Sequence, residues 1–364
     1  MGSKSPAFGP TQVHALTEIF VQKSCQLRDI WNAEIAQAEL TNGKAKMDVL
    51  LWLNKATLDV IGLAGFNYAF NALNADGEEN ELNVAVRTMV GGGNNRGFFD
   101  IIRVFVPWLG FIQTKQSRAA ADAQKSMSRI GHQLLAEKKA AVLAAAESKK
   151  AGEMVEIGRT DIEGRDLMSL LVKANMATDL AENMRMDDND VLAQVPTFLI
   201  AGHETTSTAV TWALLALANH PIVQTKLRKE LLSVDTDAPD MEGLSALSYL
   251  DAVVREVMRH FSPVPNTIRI ANTDDIIPMD VEWTDRKGVK HRDIQVSKGD
   301  SVFIPILAVN RSKDLWGEDA REFNPEWWQN PPDTIHAIPG IWGNSLAFSG
   351  GSRACIGYHF SVIE

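Results

Sequence analysis

Ten residues near the C-terminal end constrain this chain more than any others: Phe348-Ser349-Gly350-Gly351-Ser352-Arg353-Ala354-Cys355-Ile356-Gly357. Gly350 and Gly351 permit a tight turn at positive φ and let the backbone approach a flat partner closely. Arg353 puts a fixed cation two residues before Cys355, suited to binding a carboxylate. A thiolate at Cys355 is a soft, strongly donating ligand, and main-chain N–H groups at the start of a following helix can steady its charge. Phe348 offers an apolar shield for the sulfur. A lone cysteine beside a glycine turn is usually a small buried hydrophobe. The complete pattern asks instead for a loop held rigid around a protected, ionised sulfur.

Cys25 is the only other cysteine in 364 residues, so no disulfide framework holds the fold together. The net charge of −10 argues against non-specific nucleic-acid binding as the main role, and no nucleic acid is expected among the partners. The first ten residues lack the apolar core of a secretory signal. No window offers ~18–20 uninterrupted apolar residues, so no transmembrane helix is expected. The nearest approach, Phe98 to Ile112, carries Asp100, Arg103 and Pro107 and reads as a buried helix and turn.

The first two thirds read as helices. Val13, Leu16, Phe20, Ser24, Leu27 and Trp31 fall at helical spacing, and Met47 to Leu73 is a second apolar-rich stretch. Gly91 to Asn95 does not fit a dinucleotide-binding glycine pattern and reads as a loop. Ser117 to Lys150, rich in Ala, Lys, Gln and Glu, is a strong helix by propensity. Gly152 to Gly164 is a connector, and a helix is expected over Asp166 to Ala174. Asp187, Asp188 and Asp190 favour the start of a long apolar helix that runs to Asn219-His220, where Pro221 stops it. Helices are also expected over Ile222–Val234 and Leu247–His260. Short strands follow at Thr267–Ile270, Ile276–Met279, Val281–Thr284 and Ser301–Ile304. The expected class is therefore mainly α with a small β-rich portion near residues 262–306.

A second chemical signal lies on the long helix, at Ala201-Gly202-His203-Glu204-Thr205-Thr206. Glycine, an acid and paired threonines are poor choices for a buried helix. Hydroxyls and a carboxylate there can open the hydrogen-bond ladder, hold water and pass protons. A zinc-protease reading of His203-Glu204 fails, because Ser207 stands where the second histidine is required. Gly350-x-Ser352-x-Ala354 has no acid and histidine context to make it a hydrolase nucleophile turn.

Together these segments resemble the cytochrome P-450 family. Phe348 to Gly357 matches the haem loop F-x-x-G-x-R-x-C-x-G at every fixed position, and Ala201 to Thr206 resembles the oxygen-activation motif [AG]-G-x-[DE]-T-[TS]. The resemblance implies haem b with its iron bound axially by Cys355. It places Ala201, Arg269, Phe348, Gly350, Arg353, Ile356 and Gly357 around the cofactor, with Glu204 and Thr205 in proton delivery. Glu256 and Arg259 sit at i and i+3, able to pair, and resemble the family's E-x-x-R helix. Arg269 resembles the second haem-propionate arginine. One departure follows: in Asn324-Pro325-Glu326-Trp327-Trp328, Trp327 stands where the family carries the arginine that completes a triad with the E-x-x-R pair. Arg321 is the nearest arginine able to take that place.

The implied fold is a mostly α cytochrome P-450 domain over 1–364, incomplete at both ends. The family usually has roughly 100 or more residues before Pro6, close to a small domain in size, and the chain stops nine positions after Cys355. The implied reaction is insertion of one oxygen atom of O2 into an apolar organic substrate. Without a dinucleotide or flavin fingerprint, electrons are expected from a partner, which the resemblance to eukaryotic members implies is an NADPH-dependent flavoprotein reductase. Full-length eukaryotic relatives imply the cytosolic face of the endoplasmic reticulum membrane. Two alternatives are a haem-binding but catalytically inactive fragment and a haem-thiolate isomerase or dehydratase; Glu204 and Thr205 argue against the latter.

Overall fold

The computed structural model describes residues 14, 16–39, 43–74, 84–85, 88, 115–149, 166–176 and 185–364. The loop expected at 91–95, the apolar segment 98–112 and the connector 152–164 lie outside the described residues. The chain forms two compact units, Met1–Ser248 with Ile356–Glu364, and Tyr249–Cys355.

The first unit is helical: α1 (Thr17–Glu39), α2 (Val49–Ile61), α3 (Lys115–Lys149), α4 (Leu167–Met176), α5 (Asp188–Asn219), α6 (Pro221–Leu231) and the short α7 (Met241–Ser245). A final short helix spans Tyr358–Ile363. Phe20, Leu58, Ile61, Phe66, Met168, Val191, Leu199 and Phe360 form its core, with the rings of Phe20 and Phe360 edge-on at 5.1 Å. Burying each large apolar side chain contributes roughly 1.5–3 kcal/mol.

Asp59 shows how a buried charge is made tolerable. It accepts from the backbone N–H of Ala72 at 2.7 Å and of Leu73 at 3.3 Å, and pairs with Lys23 at 3.3 Å. It thereby ties α1, α2 and the following loop together. Beyond Ile61 the helix widens into a π turn, Gly62–Phe66. A Cβ at Gly62 would fall 2.3 Å from the Phe70 ring, so only glycine lets that ring pack there. Val49–Phe66 is long and apolar enough to cross a membrane by composition, but 61% of it is buried, in keeping with a core helix.

Helix α5 begins as expected, with Asp187 as the N-cap accepting from the Asp190 N–H at 2.7 Å. Pro196 lies inside the helix, yet the helix runs on to Asn219. It also stays α through residues 201–206, so the ladder does not open there, contrary to the sequence expectation. Instead the hydroxyls bond back to the preceding turn, Thr205 Oγ1 to Ala201 O at 2.7 Å and Ser207 Oγ to Glu204 O at 3.0 Å.

The second unit begins with α8 (Ser248–His260), whose buried face carries Val253, Glu256, Val257, Arg259 and His260. Strands β1 (Thr267–Ile270) and β4 (Ser301–Ile304) pair antiparallel, both at their expected bounds. The two strands expected at 276–279 and 281–284 are one strand, β2 (Asp275–Thr284), irregular between Pro278 and Trp283. Its partner β3 (Lys290–Val296) was not expected, because KHRDIQV shows no apolar alternation. Helices α9 (Ile306–Asn310) and α10 (Lys313–Trp316) and single turns at Pro325–Gln329 and Asp333–Ala337 complete the unit. Trp316, Ala320, Ile335 and Ile338 form its core, with Trp327 and Trp328 packed against them.

Candidate functional site

In the second unit the chain folds tightly before Cys355. Gly340 lies against Ser345 and Gly350 against Pro339: a Cβ would meet the Ser345 carbonyl oxygen at 1.8 Å and the Pro339 carbonyl oxygen at 1.9 Å. Both positions are therefore closed to any larger residue. Ser349 and Gly351 take positive φ, 59° and 68°. Backbone bonds pin the loop, Ser349 N–H to Leu346 O at 2.9 Å, Ile341 N–H to Ser349 O at 3.2 Å and Cys355 N–H to Phe348 O at 2.9 Å. Phe348 is buried with its ring edge-on to Trp342 at 5.5 Å. The result is a rigid loop that leaves Arg353 and Cys355 exposed, with Cys355 outside any disulfide. Ile356 and Gly357 carry the chain into the helix Tyr358–Ile363 of the first unit.

In the first unit α5 has two unlike faces. His203, Thr206 and Ser207 are buried. Thr57 Oγ1 of α2 donates to His203 O at 3.0 Å, and Ser207 Oγ donates to Asn54 Oδ1 at 2.5 Å. A Cβ at Gly202 would lie 2.9 Å from the Ile61 side chain, so glycine sets the close approach of α2 and α5. Ring atom Nδ1 of His203 lies 2.8 Å from Leu199 O, and burial pushes its imidazole below the usual histidine range. Ala201, Glu204 and Thr205 stand at i, i+3 and i+4 on the other face. Ala201 and Glu204 are exposed and Thr205 is half-buried. Because the Thr205 hydroxyl donates to Ala201 O, its oxygen is left as an acceptor.

Arg269 is exposed on β1 and donates from Nη1 to Thr267 Oγ1 at 2.7 Å and to Ile268 O at 3.0 Å.

The expected pair on α8 is present and fully buried. Arg259 donates to both carboxylate oxygens of Glu256, and to the carbonyls of Asn310, Ala320 and Glu322. Glu256 also accepts from Asn324 N–H at 2.8 Å and Trp328 Nε1–H at 3.1 Å. The place of the missing arginine is thus taken by Trp328, correcting the expectation for Arg321, which is exposed. Trp327 covers Arg259, its ring centre 5.6 Å from the guanidinium carbon, with Trp316 at 4.9 Å. Only the unusual Trp327-Trp328 pair signalled this in the sequence.

Among the described residues no cluster of three or more His, Cys, Asp or Glu could hold a metal ion.

A family model described as Cytochrome P450 matches residues 5–364. Two proteins of Postia placenta, Cytochrome P450 monooxygenase 205 and Cytochrome P450 monooxygenase 128, are 52% and 53% identical over 363 and 364 residues. Cytochrome P450 monooxygenase claP of Ampulloclitocybe clavipes is 34% identical over 368 residues. Each alignment covers 99% of this chain. The chain spans 65% of the length of the two Postia placenta relatives and 64% of the third.

Proposed function

The chain belongs to the cytochrome P450 family, and from that premise we propose that it is the haem-binding part of a monooxygenase, with Cys355 as the residue that would ligate the iron of haem b. The observation that carries this reading is the loop 348–355: a rigid turn, closed to side chains at Gly350, that presents one exposed thiol and one exposed guanidinium. A single protein thiolate suits a metal that brings its other ligands with it, as a porphyrin does. Residues 1–364 are read as belonging to one domain of the family, since the family model spans nearly all of them.

When bound, haem b supplies a thiolate-ligated iron centre for O2 activation, so that one oxygen atom enters an apolar organic substrate and the other leaves as water. The chain's own residues do the remaining work. Cys355 would ligate the iron as a thiolate, Gly357 would let backbone pass close to the cofactor, Gly350 would keep the loop's shape through its fit against Pro339, and Ile356 would offer an apolar side chain. Arg353 and Arg269 each offer a guanidinium to a propionate. With the cofactor bound, Phe348 would screen the sulfur, and Ala201 is assigned to the cofactor on the family resemblance. Glu204, exposed, and Thr205, whose hydroxyl oxygen is left as an acceptor, would serve proton delivery to the bound cofactor. Electrons come from an NADPH-dependent flavoprotein reductase, at the cytosolic face of the endoplasmic reticulum membrane.

The test is the spectrum of the reduced, CO-bound protein. It should show the red-shifted Soret band of a thiolate complex. Cys355→Ala should lose that band and the haem with it, while Cys25→Ala should leave both unchanged. A Cys355→Ala protein that keeps the band overturns the assignment.

A further inference from the structure

The second unit holds a cleft of about 480 Å3 between the end of α8 at His260, the first turn of α9, and residues Arg311, Ser312, Lys313 and Arg321. No Asp or Glu lines it. Arg311 lies beside the Phe261 ring and donates from Nη2 to His260 O. Its Nε–H is buried without a hydrogen-bond partner. Among the described residues neither Arg311 nor Arg321 has a carboxylate partner. The buried carboxylate of this unit, Glu256, is fully taken by Arg259, Asn324 and Trp328. Lys313 pairs with Glu318, whose side chain is 90% exposed.

Among the described residues Arg311 and Arg321 thus face one concavity with no carboxylate to balance them, and Lys313 adds a third cation whose partner, Glu318, is solvent-exposed. Burial weakens the hold of the Arg311 guanidinium on its proton, and the charges of Arg259 and Arg321 weaken it further. Like charges brought together in a partly desolvated place repel strongly unless a counter-charge enters. Two guanidinium forks and an ammonium present more charge than one carboxylate can meet, and planar guanidinium groups match phosphate oxygens. The Ser312 hydroxyl adds a further donor at the wall.

We propose that this cleft binds a phosphate group, held by Arg311 and Arg321 with Lys313 and Ser312 beside them. The group is free phosphate or a small phosphate ester, and its binding is independent of haem.

Titration calorimetry on the full chain tests this, with inorganic phosphate and phenyl phosphate as probes and chloride at matched ionic strength as control. One saturable site is expected for a phosphate probe and none for chloride. Tighter binding of phenyl phosphate identifies an ester as the ligand, and equal or weaker binding identifies free phosphate; both support the site. Arg321→Gln, at an exposed position that leaves folding intact, should weaken binding about tenfold, as should Arg311→Gln. Arg228→Gln on α6 should change nothing. Absence of saturable binding, or unaltered affinity in Arg321→Gln, overturns the proposal.

Discussion

Arg259 donates to both carboxylate oxygens of Glu256, from Nη2 at 2.7 Å and from Nε at 2.8 Å, with neither side chain reaching solvent. Each oxygen of Glu256 then takes a second donor, Asn324 N–H on one and Trp328 Nε1–H on the other. The pair therefore fixes α8, the Asn310 end of α9 and the segment 320–328 to one another. Removing one partner strands a buried charge, which costs about 3–5 kcal/mol. Glu256→Ala and Arg259→Ala should each lose that much in denaturant unfolding followed by tryptophan fluorescence. Trp328→Phe keeps an aromatic ring but removes the indole N–H and some volume, so it should cost less, about 1.5–3 kcal/mol. A loss in Trp328→Phe equal to that in Glu256→Ala would show that packing of the indole matters more than its N–H.

The two adjacent glycines of the cysteine loop should respond differently to one methyl group. At Gly350 a Cβ meets a carbonyl oxygen at 1.9 Å, and backbone must move. At Gly351 the Cβ meets nothing within 4 Å, and only the positive φ opposes it, at about 1–2 kcal/mol. Gly350→Ala should abolish haem retention, whereas Gly351→Ala should retain most of it with a modest loss of stability. Haem content per chain by pyridine haemochrome, alongside thermal unfolding, distinguishes them.

Gly202 admits no methyl group without displacing Ile61, 2.9 Å away. Gly202→Ala should destabilise the protein by about 1–3 kcal/mol through overpacking. Ile61→Val removes one of the clashing carbons, so the double variant should be more stable than the two losses added together predict. Simple additivity in that cycle would rule out the contact as the cause.

Buried His203 holds a proton less tightly than an exposed histidine does. As pH falls through about 6.5, the unfolded chain takes up that proton before the folded one. The contribution of His203 to stability is thus present above that pH and lost on acidification. His203→Gln, able to reach Leu199 O with its amide, should flatten the dependence of unfolding free energy on pH below about 6.5. An unchanged slope would mean that other groups set the acid limb.

Glu204→Ala and Thr205→Ala should uncouple turnover rather than weaken haem binding, because proton delivery acts after the resting state. Product formed per NADPH consumed, in protein reconstituted with a reductase, should fall in both. Normal coupling in both variants would remove the role assigned to this face of α5.

Where periodicity or punctuation is strong, the sequence is a good guide. The acidic cap and the stop at Pro221 bound α5 to within about two residues, the ordinary uncertainty of helix ends. β1 and β4 carry β-branched and aromatic residues and were legible for that reason. β3 was not, because its residues, KHRDIQV, gain strand geometry from pairing with β2 rather than from any pattern of their own. The Arg259–Glu256 pair was visible at i, i+3, whereas its partners Asn310, Ala320, Glu322, Asn324 and Trp328 lie 51 to 72 positions away. Four of those five contacts use backbone groups, which leave no trace in residue identity. For the same reason the hydroxyls of α5 suggested a broken ladder in sequence, while in the fold they bond back along an unbroken one.

The two faces of α5 make folding and chemistry separable along a single helix. Substitutions at Gly202, His203 and Ser207 act on the fit to α2 and are read out as stability. Ala201 and Glu204 are exposed and Thr205 half-buried, so substitutions there should spare the fit to α2 and, on the proposed reading, be read out as reactivity. A chain built this way can have its reactivity retuned, one residue at a time, without first being restabilised.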